Sequence, residues 1–167
     1  MPPDGGPSGP DSPYRQATRD DAASIAAVAA EVLDELGEAS GLPPYGGRSG
    51  PGPMTPDDVS DRLATYGDKG AMFVCEGEHG MCGFAALEPD PQEDGCAVMG
   101  VWLLPSARRQ GIGRELALMA LDFARAAGYA KVRGTLPAGN QAALSFFSEI
   151  GALAQVIGED MEYELPL

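Results

Sequence analysis

Along the 167-residue chain, stretches with apolar residues at helical spacing alternate with short continuous apolar runs, and glycine and proline separate them. Ile25, Val28, Val32, Leu33 and Leu36 fall on one helical stripe. Ahead of them Thr18-x-x-Asp21 resembles a capping box with Asp in place of Glu, and Gly37 is the expected terminator. A short strand over Tyr14 to Ala17 precedes this helix. Thr55-Pro56-Asp57-Asp58 supplies an N-cap, a proline for the first helical position and acids for the first turn, and Val59, Leu63 and Tyr66 mark one face of a second helix. Ala71–Glu76 and Met81–Leu87 are strand-length runs, with Gly77-Glu78-His79-Gly80 between them as a hairpin turn. Cys96–Leu104 is a third such run and ends at Pro105. The strongest helical pattern covers Gly111–Ala127, with Ile112, Leu116, Met119, Phe123 and Ala127 on one stripe and Gly128 behind it. A strand over Lys131–Leu136, a helix from an Asn140 cap to Ile150, and a hairpin of Leu153–Ile157 and Met161–Leu165 complete the chain. The order β-α-α-β-β-β-α-β-α-β-β contains no internal repeat and predicts one mixed α/β domain over residues 14–167.

Composition sharpens this picture in two places. The chain holds 23 glycines and 15 prolines, of which eight lie in residues 1–13 and ten in residues 38–56. Residues 1–13 are therefore expected to be a disordered tail, and 38–56 a long loop carrying Leu42, Tyr45 and Met54. The remainder has ordinary globular composition, and a chain of this length buries roughly 68–70% of its unfolded surface. Eleven basic residues stand against 25 acidic ones, a formal net charge of −14. Such a surface repels nucleic acid and anionic membranes and attracts a cationic acceptor such as an amine. No apolar run reaches the length of a membrane span, and the first residues lack a basic stretch followed by an apolar one, so a cytoplasmic protein is expected. Cys75, Cys82 and Cys96 lack C-x-x-C spacing; neither a zinc site nor a disulfide scaffold is expected, and no metal.

The chemistry concentrates in one segment. Leu103-Leu104-Pro105 leads into Arg108-Arg109-Gln110-Gly111-Ile112-Gly113-Arg114 and then into the strongest helix. A strand that stops, a turn with two glycines and a helix N-terminus make an anion site, because backbone N–H groups point outward there and the helix dipole favours negative charge. Arg108, Arg109 and Arg114 are three of only 11 basic residues in an acidic chain. The G-x-x-x-x-G-K-[ST] nucleotide loop is absent, and Gly111-x-Gly113-x-x-Leu116 lacks the third glycine of a dinucleotide fingerprint.

R-x-x-G-x-G after an apolar strand ending in Pro resembles the acyl-CoA signature of the GNAT N-acetyltransferase superfamily. Asn140-x-x-Ala143-x-x-Phe146-Phe147-x-x-x-Gly151-Ala152 is similar to that family's second motif, and the element order agrees from about Tyr14 to Leu165. The resemblance implies a mixed, mostly antiparallel sheet of six to seven strands flanked by four helices. It also implies that acetyl-CoA is the acyl donor and that a primary amine accepts the acetyl group directly. Backbone N–H groups from Arg109 through Gln110, Gly111, Ile112 and Gly113 to Arg114 would hold the pyrophosphate, with Arg108 at the motif's first basic position. Leu103, at the end of a splayed strand, would offer its N–H as an oxyanion donor. Asn140 would bond the CoA arm, cap its helix, or both, and Phe147 would touch the pantetheine. The 38–56 segment would cover the acceptor, and homodimers are frequent in such a family.

Two positions depart from the family pattern. Phe147 stands where many members carry the tyrosine that protonates the departing thiolate, and Gly100 stands where an acidic base is often found. Glu31, Glu35, Tyr45, Glu76, Glu88 and Asp94 are nameable substitutes, but each reads more readily as a solvated surface group. Ser145 and Ser148 do not share Phe147's direction on a helix. His79 reads as a solvated turn residue, Trp102 as packing against a helix, and Cys75 with Cys82 as reduced core thiols. Three readings follow: an N-acyltransferase, a non-catalytic acyl-CoA-binding module, and an α/β domain that binds no CoA.

Overall fold

The computed structural model describes residues 12–40, 55–90, 92–107, 110–137, 145, 149, 153–157 and 160–167. Seven strands, β1 (Tyr14–Gln16), β2 (Ala71–Gly77), β3 (Gly80–Pro89), β4 (Cys96–Leu103), β5 (Lys131–Pro137), β6 (Leu153–Ile157) and β7 (Asp160–Pro166), form one sheet. Their order is β1-β2-β3-β4-β5-β7-β6, and every neighbouring pair is antiparallel except β4 with β5. Three α-helices are described in full: α1 (Ala22–Ser40), α2 (Pro56–Tyr66) and α3 (Ile112–Ala127). Ser145 and Glu149 are helical as well, inside the span expected to follow Asn140; the other residues of that span lie outside the described set.

The apolar runs of β2, β3 and β4 are continuous rather than alternating because both faces of the sheet are covered. Phe84 and Ala86 of β3 turn toward α1 and α2, in a cluster with Ile25, Val28, Val59 and Trp102. Ala85 and Leu87 turn the other way, into a cluster with Leu116, Ala120 and Leu121 of α3. Trp102 is buried and stacks on Phe84, ring centroids 5.7 Å apart, so it packs as expected. On α2 the capping box forms in both directions, Asp58 N to Thr55 Oγ1 and Thr55 N to Asp58 Oδ2.

Three local expectations are corrected. α1 does not stop at Gly37 but runs to Ser40, since glycine adopts helical dihedrals at a cost of about 1 kcal/mol and Glu38 and Ala39 are helix formers. The fully buried stripe of α3 is Leu116, Ala117, Ala120, Leu121 and Ala124, while Ile112, Met119 and Phe123 pack along its margin. Small side chains face the sheet and let the helix lie close to it. The β2–β3 turn is tighter than four residues, for Gly77 already pairs with Gly80, and the pairing then shifts between Cys75 and Glu76 with Cys82 as the extra residue of a bulge. All three cysteines are free thiols. Pro13 accepts the N–H of Glu76 at 2.8 Å, so contact with the sheet begins just before β1. Residues 1–11 and 41–54, with Leu42, Tyr45 and Met54, lie outside the described residues.

Candidate active site

β4 ends at Leu103, and the next residue turns back, Leu104 N donating to Cys82 O at 3.0 Å. Pro105–Ala107 form a short 3-10 turn pinned by the bond from Ala107 N to Leu104 O and by the burial of Ala107. Gln110 is exposed and donates its side-chain amide to Ser106 O. Gly111 is the N-cap of α3 in the left-handed region, φ 80°, which favours glycine. Among the described residues beyond its chain neighbours and its own helix backbone, no atom lies within 4 Å of where its Cβ would stand, so they leave the space in front of the helix open. Gly113 has the opposite reason for being glycine: a Cβ there would come within 3.1 Å of Leu103 Cδ1 and 3.7 Å of Val101 Cγ1. The first turn of α3 therefore rests on the end of β4. Ile112 packs its side chain on the core, and the N–H groups of Ile112 and Gly113 have no acceptor within the helix. Arg114 is exposed and pairs with Glu149 at 3.2 Å. Arg108, Arg109, Asn140 and Phe147 lie outside the described residues.

Next to this turn the sheet forks. β4 and β5 pair only at Cys96, Ala97 and Val98 with Lys131, Val132 and Arg133. Beyond that point β4 continues against β3 and β5 against β7. The Met99 carbonyl faces the fork, where it accepts the Tyr163 hydroxyl at 3.2 Å. Backbone polarity in a strand repeats every two residues, so Val101 and Leu103 turn their N–H and C=O groups to the same side. Leu104, of the other parity, bonds to β3. The structure thus brings together three of the features the sequence nominated: a helix N-terminus, two glycines and the backbone of Leu103 at an opening between strands.

It does not bring the nominated bases there. Glu31 is exposed on α1, Glu76 pairs with Arg15 at the end of the sheet level with Leu103 but two strands across from it, and Asp94 is exposed in the loop before β4. Glu88 is the exception to a solvated reading, since it is half-buried and its Oε1 takes both Arg62 and the Tyr66 hydroxyl. Glu88 sits opposite Val98, two residues along from the Ala86–Gly100 pair and on the same face as Gly100. Glu35 and Tyr45 cannot be placed within the described side chains. His79 is exposed in its turn. A concavity of about 210 Å³ lies at the other end of β4, lined by Asp90, Glu93, Asp94, Gly128 and Tyr129 among others, away from the glycine turn. Arg133 Nε meets buried Asp90 Oδ2 there at 2.7 Å as an ion pair without hydrogen-bond alignment. Burial pushes the Cys75 thiol up to about 12, aided by its bond with Cys82, and the Cys96 thiol up to about 11. Among the described residues no helix is long and apolar enough to cross a membrane, and no group of three metal-ligating side chains gathers.

Sequence reasoning missed Tyr163, Met99 and Gly134, which meet where the strands part. The available signal was Gly134, a glycine inside a strand, which marks a bulge or a close approach.

Comparison with known proteins agrees with this geometry. The family model described as Acetyltransferase (GNAT) family matches residues 42–152. Among solved structures the chain is similar to a ribosomal-protein-alanine N-acetyltransferase from Brucella melitensis, at 20% identity and TM-score 0.70, covering 92% of this chain and 99% of that one. It is also similar to the paia N-acetyltransferase of Thermoplasma acidophilum in complex with coenzyme A, at 15% identity and TM-score 0.72, covering 92% and 98%. A third is yncA of Salmonella typhimurium, a structure with acetyl-CoA, at 17% identity and TM-score 0.71, covering 92% of each chain. No curated protein matches the sequence.

Proposed function

Because the chain belongs to the GNAT acetyltransferase family, we propose that it is an N-acyltransferase that takes acetyl from acetyl-CoA and passes it directly to a primary amine. The observation that carries this reading is the seating of Gly113 on Leu103, which sets an anion-binding helix N-terminus beside strand backbone at an open fork. Two structural relatives were solved with coenzyme A or acetyl-CoA, which supports the same donor here.

The residues fit that donor. The turn from Arg108 and Arg109 through Gln110, Gly111, Ile112 and Gly113 to Arg114 holds the pyrophosphate by backbone N–H groups and local positive charge. Open space at Gly111 admits the phosphate oxygens. Asn140 bonds the CoA arm and Phe147 touches the pantetheine. At Leu103 the N–H stabilises negative charge as it develops on the carbonyl oxygen. The lone pair of the neutral amine adds to the carbonyl carbon to form the C–N bond and the oxyanion. The oxyanion collapses as the C–S bond breaks, coenzyme A leaves as thiolate, and the proton on the newly bonded nitrogen passes to water. Without a tyrosine at 147 or an acid at 100, the chemistry rests on positioning and on the oxyanion donor. Acid–base groups typically contribute about 10²–10⁴-fold, so on this reading turnover is slow. The surplus acid suits a cationic amine.

A thermal melt with and without acetyl-CoA, repeated on Gly111→Trp, tests the reading. A ligand at 100 times its dissociation constant stabilises the native state by about 2.7 kcal/mol. The wild type is expected to shift and the variant not to, because the indole fills the open space in front of α3. No shift at millimolar acetyl-CoA would overturn the donor assignment. A second reading, a non-catalytic acyl-CoA-binding module, is favoured by Gly100, which supplies no acid at that position, while Glu88 on the same face is held by Arg62 and Tyr66. It predicts the melt shift without acyl transfer to any of a broad panel of amines.

A further inference from the structure

We propose that Tyr163 is a positioning residue that sets where β4 and β5 part, and through the Met99 carbonyl aligns the slot that takes the acyl end of acetyl-CoA. The proposal rests on the acetyltransferase reading above and goes beyond it. In the parallel ladder Lys131 N reaches toward Gly95 O, and the three residue pairs run in that register to Val98 with Arg133. One step further in that register, the N–H of Thr135 is the donor for Met99 O. The ladder stops short of it. The acceptor is taken by the phenol of Tyr163, which comes from β7, across β5, at 3.2 Å.

The path of that phenol is built into the strand it crosses. Gly134 is the residue directly opposite Tyr163 in the β5–β7 pair. A Cβ on Gly134 would stand 2.5 Å from Tyr163 Oη and 2.6 Å from Met99 O, both closer than real contacts allow. Tyr163 itself is 2% exposed, in the apolar cluster beneath α3. A hydroxyl in such surroundings is costly without an acceptor, so the bond to Met99 and the position of the ring fix each other. The phenol thus acts as a wedge. It satisfies the carbonyl that would otherwise draw β5 one pair further along β4. Two and four residues on, Val101 and Leu103 turn their backbone groups into the opening that the wedge preserves. Removing the hydroxyl leaves Met99 O to recruit Thr135 N–H, which closes the fork by one pair and shifts the Leu103 donor.

The two ends of the donor separate this role from a purely structural one. Adenosine 3′,5′-bisphosphate carries the nucleotide end and cannot enter the fork, whereas acetyl-CoA engages both turn and fork. For Tyr163→Phe, titration calorimetry is expected to show acetyl-CoA binding weakened about five- to tenfold, the scale of one hydrogen bond. Binding of the bisphosphate is expected to stay within twofold. Amide hydrogen exchange is expected to show Thr135 N–H newly protected in the variant. Equal weakening of both ligands, or unchanged acetyl-CoA binding with the Thr135 N–H exchanging at the wild-type rate, overturns the proposal. Gly134→Ala, which drives the phenol and Met99 O apart, is expected to weaken acetyl-CoA selectively as well and serves if Tyr163→Phe does not fold. Wild-type protein that binds neither ligand instead removes the acetyltransferase reading itself, a result distinct from any seen in the variants.

Discussion

Asp21 is covered almost completely, and its carboxylate accepts both Nη groups of Arg15 at 2.7 Å and the N–H of Thr18 at 2.8 Å. Arg15 extends the same guanidinium to Glu76 on β2, at 2.9 Å but in solvent, where such a pair is worth little. One carboxylate therefore ties β1 to the start of α1. The Arg15 hydrogen bonds hold the Asp21 carboxyl below its ordinary value of 3.8, against burial, which acts in the other direction. A depressed native pKa contributes stability at pH above the unfolded value, and that contribution disappears as pH falls through the native one. Asp21→Asn is therefore expected to lose about 1–3 kcal/mol at pH 7, where the wild-type carboxylate is ionised and paired. The gap between the two proteins should shrink below about pH 4. Urea melts at pH 7 and pH 3 check both points, and a gap that does not narrow in acid would show that ionisation of Asp21 plays no part.

At the level of elements, α3 is the piece whose packing the sequence pattern misassigns and whose packing matters most to the site. Its sheet-facing stripe is rich in alanine, with Ala117, Ala120 and Ala124 wholly buried. That flatness is what lets Gly113 come down onto Leu103. Ala120→Leu adds three carbons to a filled interface and is expected to cost about 1–3 kcal/mol in chemical denaturation. Since it lifts the whole helix, acetyl-CoA binding should weaken with it. Met119→Leu on the margin of the helix should change neither by a measurable amount. The largest apolar residues suggested the stripe Ile112, Leu116, Met119, Phe123 and Ala127, because size dominates a reading by hydrophobicity. Close helix–sheet contact instead selects small residues, and their weak apolar signal hides the true face. Strands and helices themselves were legible, since covering both faces of β2, β3 and β4 leaves uninterrupted apolar runs. So was the glycine turn as a piece of geometry, because Gly111, Gly113 and the helix start that make it are local in sequence. The splay came only with the family resemblance, and what holds it was not legible, for Met99, Gly134 and Tyr163 are set together only by the register of three strands, which no local pattern encodes. The bulge at Cys82 and the extension of α1 past Gly37 are likewise decided by pairing and packing rather than by the residues themselves.

For the molecule as a whole, charge raises a question that the site alone does not. Acetyl-CoA carries phosphates, and the chain carries a net charge of −14. On the proposed reading, attraction comes from Arg108, Arg109 and Arg114, and repulsion from the surplus of acidic residues in the rest of the chain. The two act over different distances. A chain of this length has a radius of gyration of about 15 Å. At 10 mM salt the Debye length is about 30 Å, so an approaching ligand feels the whole molecule, whereas at 0.15 M it is about 8 Å and the ligand feels the turn. Distant repulsion is therefore screened first, while phosphate contacts close to the backbone persist longer. The association rate of acetyl-CoA is expected to rise between 10 mM and 150 mM salt, the reverse of what a basic protein shows toward a polyanion. Above that range the rate should level off, and the dissociation rate should increase as the arginine contacts are screened in turn. Stopped-flow binding across the salt series separates the two. An association rate that falls from the lowest salt onward would mean that the three arginines dominate the field well beyond the turn, and that the acidic surface lies away from the path by which the donor enters.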